Sequence, residues 1–175
     1  QRLSRLIGNV LTFNRGRRQA LQLNRRSGDV DDTIRTVLAN FAPSLAAKGI
    51  ESRFEGGVTE PTQFDADALE QILGNLLSNV EKYCRSGDAV AITSSHSDGL
   101  VEIVLHDTGP GIDPSERTRI FEPFYRSSNN LTDGVAGTGI GLSIARDLAR
   151  LHGGDLSLLP AERGAKFRVT LDVSS

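Results

Sequence analysis

Asn75-Leu-Leu-Ser-Asn79-Val-Glu-Lys82-Tyr83 is the stretch on which the reading of this chain turns. At a helical period of about 100° per residue, Asn79 lies about 40° to one side of Asn75 and Lys82 about 20° to the other, so three polar groups share one stripe. Leu69, Ile72, Leu73, Leu76, Leu77 and Val80 fill the adjoining face. The pattern predicts a helix over residues 66–83, core on one side and polar on the next, with Asp65 placed to cap it. Amide oxygens are neutral, hard ligands. Asn79 and Asn75 can therefore hold Mg²⁺ while phosphates supply the negative charge, Lys82 can balance that charge, and Tyr83 can meet a phosphate or a sugar.

Two glycine-rich segments follow in order, Asp107-Thr-Gly109-Pro-Gly111-Ile112 and Gly137-Thr138-Gly139-Ile-Gly141-Leu142. Asp107 comes directly after an alternating stretch that reads as a strand, and its carboxylate can accept a hydrogen bond from an exocyclic amine such as that of adenine or guanine. Gly109 and Gly111 leave its surroundings open to a flat ligand. The second segment opens a predicted helix over residues 140–151, where free backbone N–H groups and the helix dipole attract phosphate. It is neither a Walker sequence nor a dinucleotide fingerprint. Alone, each glycine segment is an ordinary turn; in this order behind the two asparagines they read as a split site for ATP and Mg²⁺.

The remaining periodicities frame this site. Residues 30–48 carry Ile34, Val37, Leu38 and Phe41 at helical spacing, with Asp29 or Asp31 as the cap, Pro43 near the last turns or bending them, and Gly49 at the end. Ser27-Gly28-Asp29 reads as the lead-in to that helix. Alternation predicts strands over residues 50–55, 90–94 and 100–105, the last two joined by Ser97-Asp98-Gly99, and a closing pair over 156–159 and 166–173 around Glu162-Arg163-Gly164. Pro114, with Asp113 before it, suits the start of a short helix over residues 114–120. Residues 125–136 read as a mobile loop. Long helices and antiparallel strands in separate runs indicate an α+β, two-layer α/β sandwich with a mixed, mostly antiparallel sheet covered on one face by helices.

At 175 residues, 38% hydrophobic and 24% charged, the chain has material for one core domain. Its net charge of −2 gives no reason to expect nucleic acid, and Arg15, Arg17, Arg18, Arg25 and Arg26 read as a solvated helix end. The single Cys84 fits a reducing compartment. No apolar run nears the roughly 20 residues that span a bilayer, so this fragment is expected to be soluble. Leu3, Leu6, Ile7, Val10, Leu11 and Phe13 put an apolar stripe on a helix over residues 2–18 that needs a partner, a missing helix or a second copy of the chain being the natural ones.

Together with Phe121-Glu-Pro-Phe124-Tyr-Arg126, the asparagine stretch and both glycine segments resemble the N, G1, F and G2 boxes of sensor histidine kinases, over about residues 21–173. The resemblance implies the Bergerat ATP-binding fold shared with gyrase-type ATPases, heat-shock chaperones and mismatch-repair ATPases. It also implies that Asn79, supported by Asn75, coordinates Mg²⁺, that Lys82 and Tyr83 meet phosphate or ribose, and that Asp107 recognises the adenine amine. Gly109, Gly111, Ile112, Gly137, Thr138, Gly139, Gly141 and Leu142 then complete the nucleotide site. Phe121 and Phe124 would anchor a lid over residues 125–136, and Arg126 would reach the terminal phosphates. Val80 stands where the family commonly has Ala, and Glu81 also departs from the pattern.

Asn75 decides between the relatives, because the related hydrolases carry a Glu there to activate water, and an amide cannot act as that base. Phosphotransfer is expected over an ATPase conformational switch, and the F-like box makes an anti-sigma-type serine kinase the less fitting relative. His96, His106 and His152 are read as structural, since none is followed by the acidic residue and Arg of the family's acceptor box. The resemblance therefore places the acceptor His upstream, with residues 1–19 as the end of a dimerisation hairpin and 20–175 as the catalytic domain. The expected partners are the protein's own dimerisation helices, a second copy in the full-length protein and a response regulator; a monomer is left open for the fragment, and nucleic acid is not expected. The fragment is expected to bind ATP without autophosphorylating, as a cytoplasmic part of a protein of the bacterial inner membrane.

Overall fold

The structure is a computed structural model that describes residues 22–126 and 137–174. The expected helix over residues 2–18, the division at residue 19 and most of the predicted loop over 125–136 lie outside the described residues.

Ten elements follow in chain order: β1 (Arg26–Gly28), α1 (Val30–Ala47), β2 (Glu51–Glu55), β3 (Thr62–Phe64), α2 (Ala66–Tyr83), β4 (Ala89–Ser97), β5 (Leu100–Asp107), α3 (Gly141–Leu151), β6 (Asp155–Leu159) and β7 (Lys166–Asp172). Five strands form one sheet in the order β2-β4-β5-β7-β6, with β2 and β4 parallel and the other pairs antiparallel. Its register sets Leu105 opposite Ile92 on one side and Phe167 on the other, and Ile103 opposite Val169. Because side chains alternate across a sheet, Val101, Ile103, Leu105 and Asp107 all point to the same buried face. The three helices cover that face, burying Ile34, Leu69, Leu73, Leu77 and Ala145 in one core with Val90, Ile92 and Leu171. This is the expected sandwich. Asp107 is thus the last member of an apolar series, a carboxylate delivered to the helix side.

Asp29, not Asp31, caps α1 by accepting the Asp32 N–H, while Pro43 stays inside the helix without ending it. Asp31 is buried: its two carboxylate oxygens accept the Ser94 hydroxyl (2.5 Å) and the Val58 N–H (3.3 Å), which holds residues 56–58 against α1 and β4. Residues 26–28, read as a lead-in, instead form β1, paired antiparallel with β3. Three residues are too few to show periodicity, and what holds the strand is tertiary: the Phe64 ring lies 3.1 Å from the position of a Cβ on Gly28. The short helix expected over residues 114–120 is a succession of turns. Asp113 there accepts both the N–H and the hydroxyl of Ser115 (2.8 and 2.6 Å), and the segment carries no apolar stripe to hold a helix on the core.

His152 is fully buried after α3, as a structural residue. Its Nδ1 lies 2.9 Å from the Leu148 carbonyl and its Nε2 accepts the Asp65 N–H at 3.1 Å, partners that only the neutral Nδ1–H ring satisfies together. Burial pulls its pKa below the ordinary value, against the Leu148 hydrogen bond. The unfolded chain takes up this proton near pH 6.5 and the folded chain resists it. Stability from His152 is therefore complete above about pH 6.5 and is lost as pH falls from there toward the folded pKa. A thermal unfolding series from pH 7.5 to 5 should show this drop, and His152→Gln should start lower at pH 7.5 but lose less over the same range. Parallel curves for the two proteins would contradict the assignment.

Candidate nucleotide-binding site

The polar stripe of α2 meets the N-terminus of α3. A Cβ on Gly141 would stand 3.4 Å from Asn75 Oδ1, and one on Gly137 would stand 3.3 Å from Lys82 Nζ, so the second glycine segment is laid along the asparagine stripe. Asn75, Asn79, Lys82 and Tyr83 are all partly buried there, and Val80 turns inward to the core. Helices α1 and α2 are capped by Asp29 and Asp65, but α3 follows Ile140 at its cap position, which gives no side-chain cap bond, and has no acidic residue in its first turn. Among the described residues, no carboxylate of the cap position or first turn offsets its first N–H groups and positive dipole end, the condition that favours a phosphate.

At the other end, Asp107 is 7% exposed. Its Oδ1 accepts the N–H of Gly109 (2.9 Å) and of Ala165 (3.3 Å), and the Cys84 thiol also hydrogen-bonds the carboxylate. Burial raises the Asp107 pKa, and these donors draw it part of the way back. The thiol is pushed up to about 12, first by burial and then by the charges of Asp107 and Asp88, so it stays protonated as a donor. A Cβ on Gly109 would stand 2.8 Å from Cys84 Sγ, and a Cβ on Gly111, at φ +75°, would stand 2.9 Å from the Gly164 carbonyl. Glycine at these two positions is thus a packing requirement as well as a turn.

The F-like segment joins the two ends unevenly. Phe121 packs edge-on against Phe167, with centroids 6.5 Å apart, and the Arg146 guanidinium covers its ring at 4.8 Å while donating to Asp155 from Nε and Nη2. Phe124, at φ +65°, is 63% exposed, but its N–H donates to the Gly139 carbonyl (2.9 Å), stitching this segment to the second glycine segment. Tyr125 donates to Glu116 (2.9 Å) beneath the Arg119 guanidinium. Burial raises the Tyr83 pKa and the charge of Arg126 lowers it, which puts Arg126 near the end of α2. Ile112 and Leu142 pack against the core, and Thr138 is partly buried between the glycines.

These residues fit a nucleoside triphosphate with a divalent cation. A buried acceptor for a base amine stands at one end, and amide oxygens, Lys82 and an uncapped helix N-terminus gather at the other. Sequence reading missed two contributors. Cys84 was read only as fitting a reducing compartment, and Glu162-Arg163-Gly164 only as a closing turn, because the β5-β7 pairing that brings this turn to Asp107 leaves no local mark.

Residues 64–175 match the family model described as histidine kinase-, DNA gyrase B-, and HSP90-like ATPase. The histidine protein kinase DivJ of Caulobacter vibrioides is 33% identical over 170 residues, which cover 95% of this chain and 28% of DivJ. Full-length ShkA, solved in complex with AMPPNP, is 32% identical with a TM-score of 0.84, over 98% of this chain and 36% of ShkA. The nucleotide-free catalytic domain of histidine kinase ThkA is 25% identical with a TM-score of 0.76, over 86% of this chain and 97% of that domain. The chain therefore corresponds to one part of the longer kinases and to nearly all of an isolated catalytic domain. With the sandwich, the order of its segments and these likenesses in agreement, the chain belongs to the histidine kinase-, DNA gyrase B- and HSP90-like ATPase family, as a catalytic ATP-binding domain of the sensor histidine kinase kind.

Proposed function

We propose that this chain holds Mg²⁺-ATP and presents it for γ-phosphoryl transfer to a histidine upstream of residue 1, for onward transfer to an aspartate of a response regulator. Asp107 takes the adenine amine, Asn79 with Asn75 holds Mg²⁺, Lys82 and Tyr83 meet phosphate or ribose, and residues 137–142 offer their backbone to the phosphates. Arg126, near the end of α2, reaches for the terminal phosphates. ATP supplies the phosphoryl group; the protein supplies position and charge. The observation that carries the reading is that an amide, Asn75, faces Gly141 at the start of α3, at the position where the related hydrolases carry a water-activating Glu, and an amide cannot act as that base. The whole protein on this reading is a homodimer in the bacterial inner membrane, with this domain in the cytoplasm. Among the described residues, no helix is long and apolar enough to cross a membrane.

Calorimetric titration of the chain with ATP and Mg²⁺ should give saturable binding with negligible sustained phosphate release, and Asn79→Ala should weaken binding about tenfold or more by removing a metal ligand. Radiolabel should reach a histidine only in a protein carrying the upstream helices. Steady phosphate release by the isolated chain would favour the ATPase switch instead.

A further inference from the structure

Asp107 is held by a turn that lies outside the asparagine, glycine and phenylalanine segments described above. Between β6 and β7, residues 163–165 fold back over the end of β5. The Ala165 N–H donates to Asp107 Oδ1 (3.3 Å), the Asp107 N–H donates to the Ala165 carbonyl (3.0 Å), and the Arg163 carbonyl lies 2.9 Å from His106 Nε2. The Arg163 side chain then reaches past this backbone. Its Nε donates to the Thr108 carbonyl (2.8 Å) and its Nη2 to Asp88 Oδ1 (3.2 Å). Asp88 is a firm anchor, 8% exposed, accepting the Arg85 N–H (2.7 Å) on its other oxygen and the Thr108 hydroxyl (3.4 Å). That hydroxyl accepts the Ala89 N–H (2.9 Å) in turn. A single planar fork thus ties the turn to the residue after Asp107 and to the loop after α2.

We infer that Arg163 is a positioning residue for base recognition: by clasping Thr108 and Asp88, its guanidinium keeps the Ala165 N–H on the Asp107 carboxylate. The inference rests on the reading of Asp107 as the residue that takes the adenine amine. Arg163 acts through Asp107 and not on the ligand. Its side chain is 72% exposed, so the charge attraction to Asp88 is largely screened by water. What remains is geometry: two bonds leaving one rigid group at a fixed angle, which a lysine ammonium on a flexible stem does not reproduce.

Base recognition and general damage are separated by comparing ATP, GTP and inorganic tripolyphosphate in calorimetric titrations of this chain and of Arg163→Ala, Arg163→Lys and Asp88→Asn, with a thermal midpoint for each. Arg163→Ala should weaken ATP roughly three- to thirtyfold, the range set by one or two modest hydrogen bonds. GTP and tripolyphosphate should bind as before, so the preference for ATP over GTP shrinks by the same factor. Arg163→Lys and Asp88→Asn should fall between the wild type and Arg163→Ala, and they carry the test if the alanine variant does not fold. An unchanged ATP preference in these variants, or equal weakening of ATP and tripolyphosphate, overturns the role of Arg163. Wild-type ATP affinity in Asp107→Asn overturns the reading of Asp107 itself, a separate failure.

Discussion

Asp107→Asn is expected to cut ATP affinity by about a hundredfold or more, with the fold intact, because it puts a donor where the adenine amine needs an acceptor. The amide oxygen of the variant can still accept the Gly109 and Ala165 N–H groups that Oδ1 accepts in the wild type. The NH₂ is then the group left for the ligand. Stability should move the opposite way. Burial holds the Asp107 pKa above the ordinary carboxylate value, so the folded chain binds this proton more tightly than the unfolded chain does. Wild-type stability therefore falls as pH rises from about 4 through the raised folded pKa, and the neutral amide does not incur that loss. Calorimetry at pH 7.5 and thermal midpoints from pH 4 to 8 check both halves. Binding within a factor of about ten of the wild type would remove Asp107 from the site.

Gly164→Ala should be among the most damaging single changes available, costing about 2–4 kcal/mol of stability and most of the nucleotide affinity with it. Gly164 sits at φ +74°, and a Cβ there would stand 1.8 Å from the Asp107 carbonyl oxygen. Both partners are backbone, so neither can swing aside. Relief requires breaking the end of the β5-β7 register at His106 and Lys166, which moves Asp107. Gly87 provides the control: at φ +93°, with nothing within 4 Å of its Cβ position, it should cost only the conformational penalty of about 1 kcal/mol in Gly87→Ala. Urea unfolding of the two variants compares them directly. Equal losses would mean that the close approach at Gly164 has no energetic weight.

These two glycines show where sequence reading stops. Each is a glycine in a turn, and both adopt positive φ; only the strand that lies across one of them makes it critical. The same holds at Asp29 and Asp31. Both stood as candidate caps of α1, and the choice was made by Ser94 and the Val58 N–H, which come from other parts of the chain and bury Asp31 between them. By contrast, helix α2 was legible almost to the residue, because eighteen residues give five turns of a repeating apolar stripe and Asp65 marks its start. Strand β1 was not, since three residues hold less than two periods of alternation.

The chain's own order of residues determined the class of fold and the placement of α2 and α3, and it supplied the candidates proposed to meet base, metal and phosphate. Those signals are local: helical and strand periods, caps, and side-chain chemistry that needs no partner to be recognised. Only the tertiary structure decided that Gly137 and Gly141 lie against Lys82 and Asn75, that the Cys84 thiol bonds Asp107, and that a turn more than fifty residues downstream holds the Asp107 end together. Those contacts depend on sheet register and helix docking. They are set by burial of the whole core at once, and for that reason no single stretch of sequence carries them.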